Sequence, residues 1–434
     1  MRTLVCAGTC LLGALWCGAA GADDWPQWRG PQRDGVWHES GVVEKFAADE
    51  LSIKWRVPIG AGYSGPTVAD GRVYVTDRQT EPQSNERVLC FDASDGRRLW
   101  SHEYACDYDG VGYTAGPRAA VTVADGQAFA LGATGQLCCF DAAAGELTWQ
   151  IDLRGQYDIE MPIWGIAAAP LVEDDLVILQ IGGRPAACLV ALERRTGRER
   201  WKSLADRASY AAPIIVPQAG RRVLVCWTGD NVVGLDPATG AVHWQHPFQP
   251  TRMVINVATP AYDHGRLLVS SFYDGSLLLE LARDALTVRP LWRRLGPDEQ
   301  HTDSLHAMIS TPLVAGEVIY GVDSYGEFRC LETATGERLW ESQEVTPKAR
   351  WSTVHMVQNG AQTWMFNERG ELLITRLSNQ GVHILSRAKL IAPTRNQLNQ
   401  RGGVCWAHPA FADRHVFARN DEGLVCASLR AGEN

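Results

Sequence analysis

Several things are missing from this 434-residue chain, and each absence removes a class of function. Beyond residue 22 no apolar run is long enough to cross a bilayer, so no transmembrane segment is expected. There is no run of Lys or Arg. The formal charge is -9, which speaks against nucleic acid as a partner. No CxxCH occurs, which excludes covalently attached c-type haem, and no HExxH or GxSxG marks a zinc protease or a serine hydrolase. No motif assembles a metal site. The 11 histidines are scattered; His301 and His306 stand five apart in QHTDSLHAM (300–308), which reads as a polar surface loop.

The first 22 residues read as a signal peptide. Arg2 supplies the positive end, Leu4 to Ala20 the apolar run, and Ala20-Gly21-Ala22 the small-residue cleavage site before Asp23. Extracytoplasmic location, periplasmic or secreted, is the expectation. Cys6, Cys10 and Cys17 lack the run that precedes a lipidated cysteine, so a lipoprotein is not expected. Nine of the 12 cysteines lie beyond this segment; nine is odd, so at least one stays unpaired.

The rest is too long for one ordinary core, and a repeat resolves the difficulty. CFDASDGRRLW (90–100), CFDAAAGELTW (139–149), VALERRTGRERW (190–201), GLDPATGAVHW (234–244) and CLETATGERLW (330–340) share one form. An apolar strand end leads to an acidic turn, a glycine supplies positive φ, and a tryptophan opens the next strand. Before each phrase lie two more strands around a tight turn, as in GPTVADGRVYVTD (65–77). Four antiparallel strands at this period make a propeller blade. The tryptophans stand at Trp55, Trp100, Trp149, Trp201, Trp244, Trp292 and Trp340, with gaps of 45, 49, 52, 43, 48 and 48 residues. Residues 51 to 430 hold eight such units. The copy at 279–292 is degenerate, and the seventh, GELLITRLSNQGVHILS (370–386), has lost its Trp. The last unit offers three strands, and LSIKWRV (51–57) can supply the fourth. The expectation is an all-β, eight-bladed β-propeller of four-stranded antiparallel blades, closed by N- and C-terminal strands sharing one blade. Its parts are a signal peptide (1–22), an N-terminal arm (23–50), the propeller (51–430) and a tail (431–434). The seven repeat tryptophans pack blade against blade.

The phrase resembles AxDxxTGxxxW, the tryptophan-docking repeat of pyrroloquinoline quinone (PQQ) dehydrogenases, and Thr196, Thr239 and Thr335 keep the threonine before glycine. The resemblance spans about residues 51–430. It implies the fold; the same repeats occur in non-enzymatic propellers such as BamB, the periplasmic propeller of the outer-membrane protein assembly machine. WPQWRGPQRDGV (25–36) resembles the WPxWRGPxRDG that opens many secreted PQQ-like repeat proteins. It reads as an irregular arm lying over the propeller, anchored by Trp25 and Trp28.

PQQ chemistry implies a calcium site, an Asp base and a Trp floor. Trp164, Asn256, Asp303 and Trp406 are available, but no motif fixes their roles. The vicinal pair Cys138-Cys139 sits within a strand, where successive side chains point to opposite faces, so structural cysteines are expected there. No cofactor is expected; PQQ with calcium, in a dehydrogenase-like enzyme, is the alternative.

Loops before the first strand of each blade line one channel mouth. They carry Tyr63, Arg118, Trp164, Tyr210, Asn256, His306, Trp351 and Trp406. Such a ring is a binding surface for a protein or other macromolecule, with Arg118 as a fork for a carboxylate, or else a set of plugs filling the channel. The expected protein is a non-catalytic monomer that docks a partner on this mouth. The other reading is a small-molecule site within the channel.

Overall fold

The structure is a computed structural model and describes residues 23–433. The expected signal peptide lies outside the described residues. Eight four-stranded antiparallel sheets form a closed ring with almost no helix. Blade one runs Thr67–Ala69, Arg72–Gln79, Asn85–Asp92 and Arg98–Ala105 from channel to rim. In blade eight the outermost strand comes from the other end of the chain. Ile53–Pro58 pairs with Gly423–Ser428, with Trp55 opposite Cys426. This pairing gives blade eight its fourth strand, so Gly423–Ser428 is not left as a sheet edge.

The burial patterns follow from the layers. Second and third strands are covered on both faces and read as mostly apolar runs, such as Leu176–Gly183 and Ala187–Glu193. Outer strands alternate, as in Leu147–Asp152. Cores lie between blades: Cys138 packs among Tyr74, Val88 and Cys90 of blade one, and Cys139 among Val177 and Val190 of blade three. The vicinal pair therefore faces two different cores. All nine described cysteines are free thiols, eight of them buried.

Each repeat tryptophan closes a junction. The indole N–H of Trp55 donates to Ala93 O, that of Trp100 to Ala142 O, and that of Trp149 to Arg194 O. Trp201 donates to Pro237 O, Trp292 to Thr333 O and Trp340 to Ser378 O, all within 2.8–3.1 Å. In each case the acceptor sits in the turn of the following blade. The turn glycine lies beneath the ring: Gly240 has φ 70°, and a β-carbon there would stand 2.5 Å from Trp201. The residue paired across from the ring is small in six of the seven, Cys426, Cys90, Cys139, Ala191, Gly234 or Cys330, whereas Trp292 of the degenerate copy meets Leu278. Cysteine recurs in the repeat because it fits opposite a tryptophan.

The two defective repeats are repaired locally. Blade five has no turn glycine, and Trp244 donates instead to Gln218 Oε1 at 2.9 Å. Gln218 Nε2 in turn donates to Ala285 O and Thr287 O of blade five. In blade seven Ser386 occupies the tryptophan position, opposite the larger Ile374. Ser386 Oγ accepts the Phe46 N–H of the arm, and Phe46, Val43 and Leu51 join the core shared by blades seven, eight and one.

The arm does not lie over the propeller, as its sequence suggested. It enters the channel and plugs it. Trp25 exchanges two backbone hydrogen bonds with Val68, Pro26 O accepts from Val123, and Gly35 and Trp37 bracket Gln358. Between them, residues 26–33 turn inward.

Candidate functional site

Every connection from an outer strand to the next inner strand lies at one end of the ring, called here the entrance. Short turns, such as Asp70-Gly71, lie at the other end, through which the arm comes in. The tip of the arm forms the floor of the entrance. The Trp28 indole N–H donates to Thr259 Oγ1 at 2.8 Å, and its ring meets His408 edge-on at 4.6 Å. Arg33 is buried, and its guanidinium spans two blades. It donates to Pro213 O at 2.9 Å, to Ala169 O at 3.4 Å, and closely to Pro170 O. Its Nε donates to Gln27 within the arm. Burial pulls Arg33 down to about 9, the cost of placing an unpaired cation among carbonyls. Gly30 lies under the Trp25 ring, with φ 84°. The WPxWRGPxRDG pattern is thus a self-bonded plug with two aromatic anchors and one cationic one.

Above this floor lies a blind cavity of about 160 Å³. Six of the eight sequence-selected mouth residues line it: Tyr63, Arg118, Trp164, Tyr210, Trp351 and Trp406. Asn256 and His306 do not. Asn256 is fully buried, and its side-chain amide donates to Thr228 O. His306 is also fully buried, accepting from Gly296 N at Nε2 and facing Phe272 O through Nδ1. Both residues lie where loops turn beneath the surface; Asn256 Nδ2 and the two ring nitrogens of His306 serve loop backbone, while Asn256 Oδ1 has no partner in the protein. His306 is therefore no surface residue, whereas His301 is exposed beside Asp298.

Arg118 also departs from expectation. Its N–H groups donate to Gly112 O, Tyr113 O and Gly116 O at 2.6–2.7 Å, folding the loop that precedes it. Its guanidinium is committed and is no open fork for a carboxylate. What it positions is Tyr113, which the sequence reading missed. Tyr113 sits in the left-handed region, φ 56°, between two glycines. Its ring stands 5.9 Å from Trp164, 5.9 Å from Trp351 and 6.2 Å from Trp406. Trp164 packs on Tyr210 at 5.1 Å. An aromatic flanked by glycines, VGYTAG (111–116), was the available signal, but no repeat position marks it.

Two histidines stand in the wall beside Trp28. His355 Nε2 donates to Trp406 O at 2.8 Å. His408 Nδ1 faces only a carbonyl, Pro409 O at 3.3 Å, so that nitrogen carries the proton. Burial pushes them down to about 4 and about 3. The same cause raises Tyr210 to about 12. At neutral pH the wall holds neutral groups, apart from Arg118.

The residues do not fit PQQ with calcium. The lining contains no carboxylate to hold a cation, and among the described residues no three His, Cys, Asp or Glu side chains gather as ligands. A tricarboxylate would meet one committed guanidinium. Cys138 and Cys139 lie in the inter-blade cores, away from the cavity.

Among curated proteins, the outer membrane protein assembly factor BamB of Burkholderia pseudomallei is 25% identical over 380 residues, spanning 82% of this chain and 87% of that protein. The quinohemoprotein alcohol dehydrogenase ADH-IIG of Pseudomonas putida is 29% identical over 161 residues, 35% of this chain and 21% of that enzyme. Among solved structures, BamB from Moraxella catarrhalis superposes with TM-score 0.59 at 17% identity, covering 88% of this chain and 99% of that one. A europium-containing methanol dehydrogenase gives 0.65 at 13% identity, covering 92% and 90%. The structural likenesses establish the propeller fold. The family model described as outer membrane protein assembly factor BamB matches residues 38–105, 84–307 and 301–434, and the chain belongs to that family of PQQ-like repeat propellers.

Proposed function

We propose that this protein is an extracytoplasmic, non-catalytic propeller that docks a protein partner on its entrance mouth. The observation that carries the reading is the aromatic cluster around Tyr113, set over a channel that the arm has closed. A closed channel passes nothing through, and a rigid ring of Trp and Tyr at a loop-built face is the composition of an interface centre. The face also holds exposed apolar side chains, Ile163, Met253 and Leu295. The description of BamB relatives as assembly factors supports a protein partner and an extracytoplasmic setting. The carboxylate-free lining favours this reading over quinone-dependent oxidation.

The described exposed large hydrophobics fall into two sets, which gives the test. Ile163, Met253 and Leu295 lie in entrance loops; Leu147, Val242 and Leu339 lie on outer strands. In pull-downs from the producing cells, Ile163→Glu, Met253→Glu and Leu295→Glu together should abolish capture of the specific partner. The same change at Leu147, Val242 and Leu339 should leave it. The opposite pattern moves the interface to the rim.

A further inference from the structure

The cavity beneath the mouth has its own chemistry. Its walls are aromatic faces separated by alanines, Ala120, Ala167, Ala169 and Ala212, which leave a slot between the rings. Several of its polar side chains are engaged within the protein. Thr259 Oγ1 accepts from Trp28, the Tyr63 hydroxyl donates to Gln397 O, and Arg118 is bound to its own loop. His355 Nε2 and Nδ1 of His408 are held by backbone carbonyls. The buried wall atoms with no partner in the protein are three, His408 Nε2, Trp351 Nε1 and Trp406 Nε1.

That inventory selects a ligand class. A cation would be desolvated with no counter-ion, and an anion would meet only the Arg118 guanidinium, already turned onto the carbonyls of its own loop; either costs several kcal/mol. A sugar would bring several hydroxyls to a wall with few free partners, each left unpaired at a cost of about 1–3 kcal/mol. A flat apolar ring meets ring faces and methyl groups, and a cavity of about 150 Å³ accepts benzene. The 160 Å³ here matches one such ring. We infer that the cavity is a binding site for a single neutral aromatic ring carrying at most one hydroxyl, either a free molecule or an aromatic side chain of a partner. The ring passes Tyr113, which stands across the mouth. The site shares its face with the docking surface proposed above, and the side-chain source rests on that reading.

Titration calorimetry on the full chain tests it, with p-cresol as probe. One equivalent should bind saturably, with Kd below about 1 mM, as expected of a ligand this small. Glucose and benzoate should bind at least about tenfold more weakly, about 1.4 kcal/mol by the usual conversion. Ala167→Phe fills the slot and should weaken p-cresol at least tenfold by the same conversion. If that variant does not fold, Met308→Ala enlarges the cavity and should shift preference toward 2-naphthol. A Gly-Gly-Tyr-Gly-Gly peptide separates the sources: competition with p-cresol assigns the ring to a partner side chain, and its failure beside p-cresol binding assigns a free molecule. The inference is overturned if p-cresol does not saturate by about 10 mM, if both variants leave its affinity unchanged, or if glucose or benzoate binds as well. Loss of partner capture with p-cresol binding intact would leave the inference standing; the reverse would leave the docking surface standing.

Discussion

Two sets of tryptophans divide the molecule. Those of the rim obey a repeat: each N–H has an acceptor, all but one of these in the next blade's turn, and every ring except that of Trp292, which meets Leu278, faces a small residue. Trp164, Trp351 and Trp406, at the mouth, obey none. They sit on loops of different construction, touch one another or Tyr113, and Trp351 leaves its N–H unpaired. The rim rings hold neighbouring sheets at a fixed angle. The mouth rings cover a cavity. Regular spacing in sequence marks the first task and its absence the second, because only a repeated junction imposes a repeated residue.

The sharpest way to test this contrast is at the rim. Trp201→Ala should cost about 3–5 kcal/mol, since a buried ring and its hydrogen bond are lost together; urea unfolding measures it. Gly240→Ala should cost about 2 kcal/mol, because a left-handed backbone and the Trp201 ring both oppose the methyl. Equal stability for either variant would mean the ladder is ornamental. Gln218→Ala removes the relay that replaces the missing glycine of blade five, at about 1–2 kcal/mol, and the same change at exposed Gln380 should do nothing.

Acid probes the mouth histidines. In the folded protein His355 and His408 titrate at about 4 and about 3, below the ordinary 6.5 of an unfolded chain. The unfolded state therefore binds more protons across that window, and stability falls as pH drops below 6.5. Each histidine adds a slope approaching about 1.4 kcal/mol per pH unit. The urea midpoint should decline from pH 6.5 to 4.5, and a His355→Gln, His408→Gln variant should flatten that decline in part. The smallest effect belongs to Trp164→Ala. Half-buried on a loop, it should cost under about 1 kcal/mol in stability while reducing p-cresol affinity. A loss as large as that of Trp201→Ala would make the mouth rings part of the frame.

The blade count, the closing strand and the role of the rim tryptophans were legible because each rests on spacing. The mouth was legible as a set of loops, and six of eight residues chosen there face the cavity. Asn256 and His306 failed for a definite reason. Position in a loop says nothing about whether a side chain turns toward the channel or back to satisfy loop carbonyls and amides. Arg118 was placed correctly, but its hydrogen bonds run to its own loop, and short-range folding of that kind leaves no periodic trace. The depth of the arm was hidden too. Arg33 reads as a surface residue in Arg-Asp-Gly until the carbonyls of two distant blades are brought round it.

The plug and the closing strand also set a clock. Val42 bridges Arg430, Ile53 pairs with Ala427, and the arm tip bonds blades that span most of the chain. Val42 and Ile53 acquire these partners only when blade eight has been made. Contacts this remote in sequence form slowly, since a loop of nearly the whole chain must close before any of them is rewarded. Until then Ile53–Pro58 lacks the other three strands of its blade, and the core shared by blades seven, eight and one stays open to other chains. A copy that lacks Ala410–Ser428 is therefore a sticky object, however many of its other blades are intact, and blade eight decides whether it stays soluble.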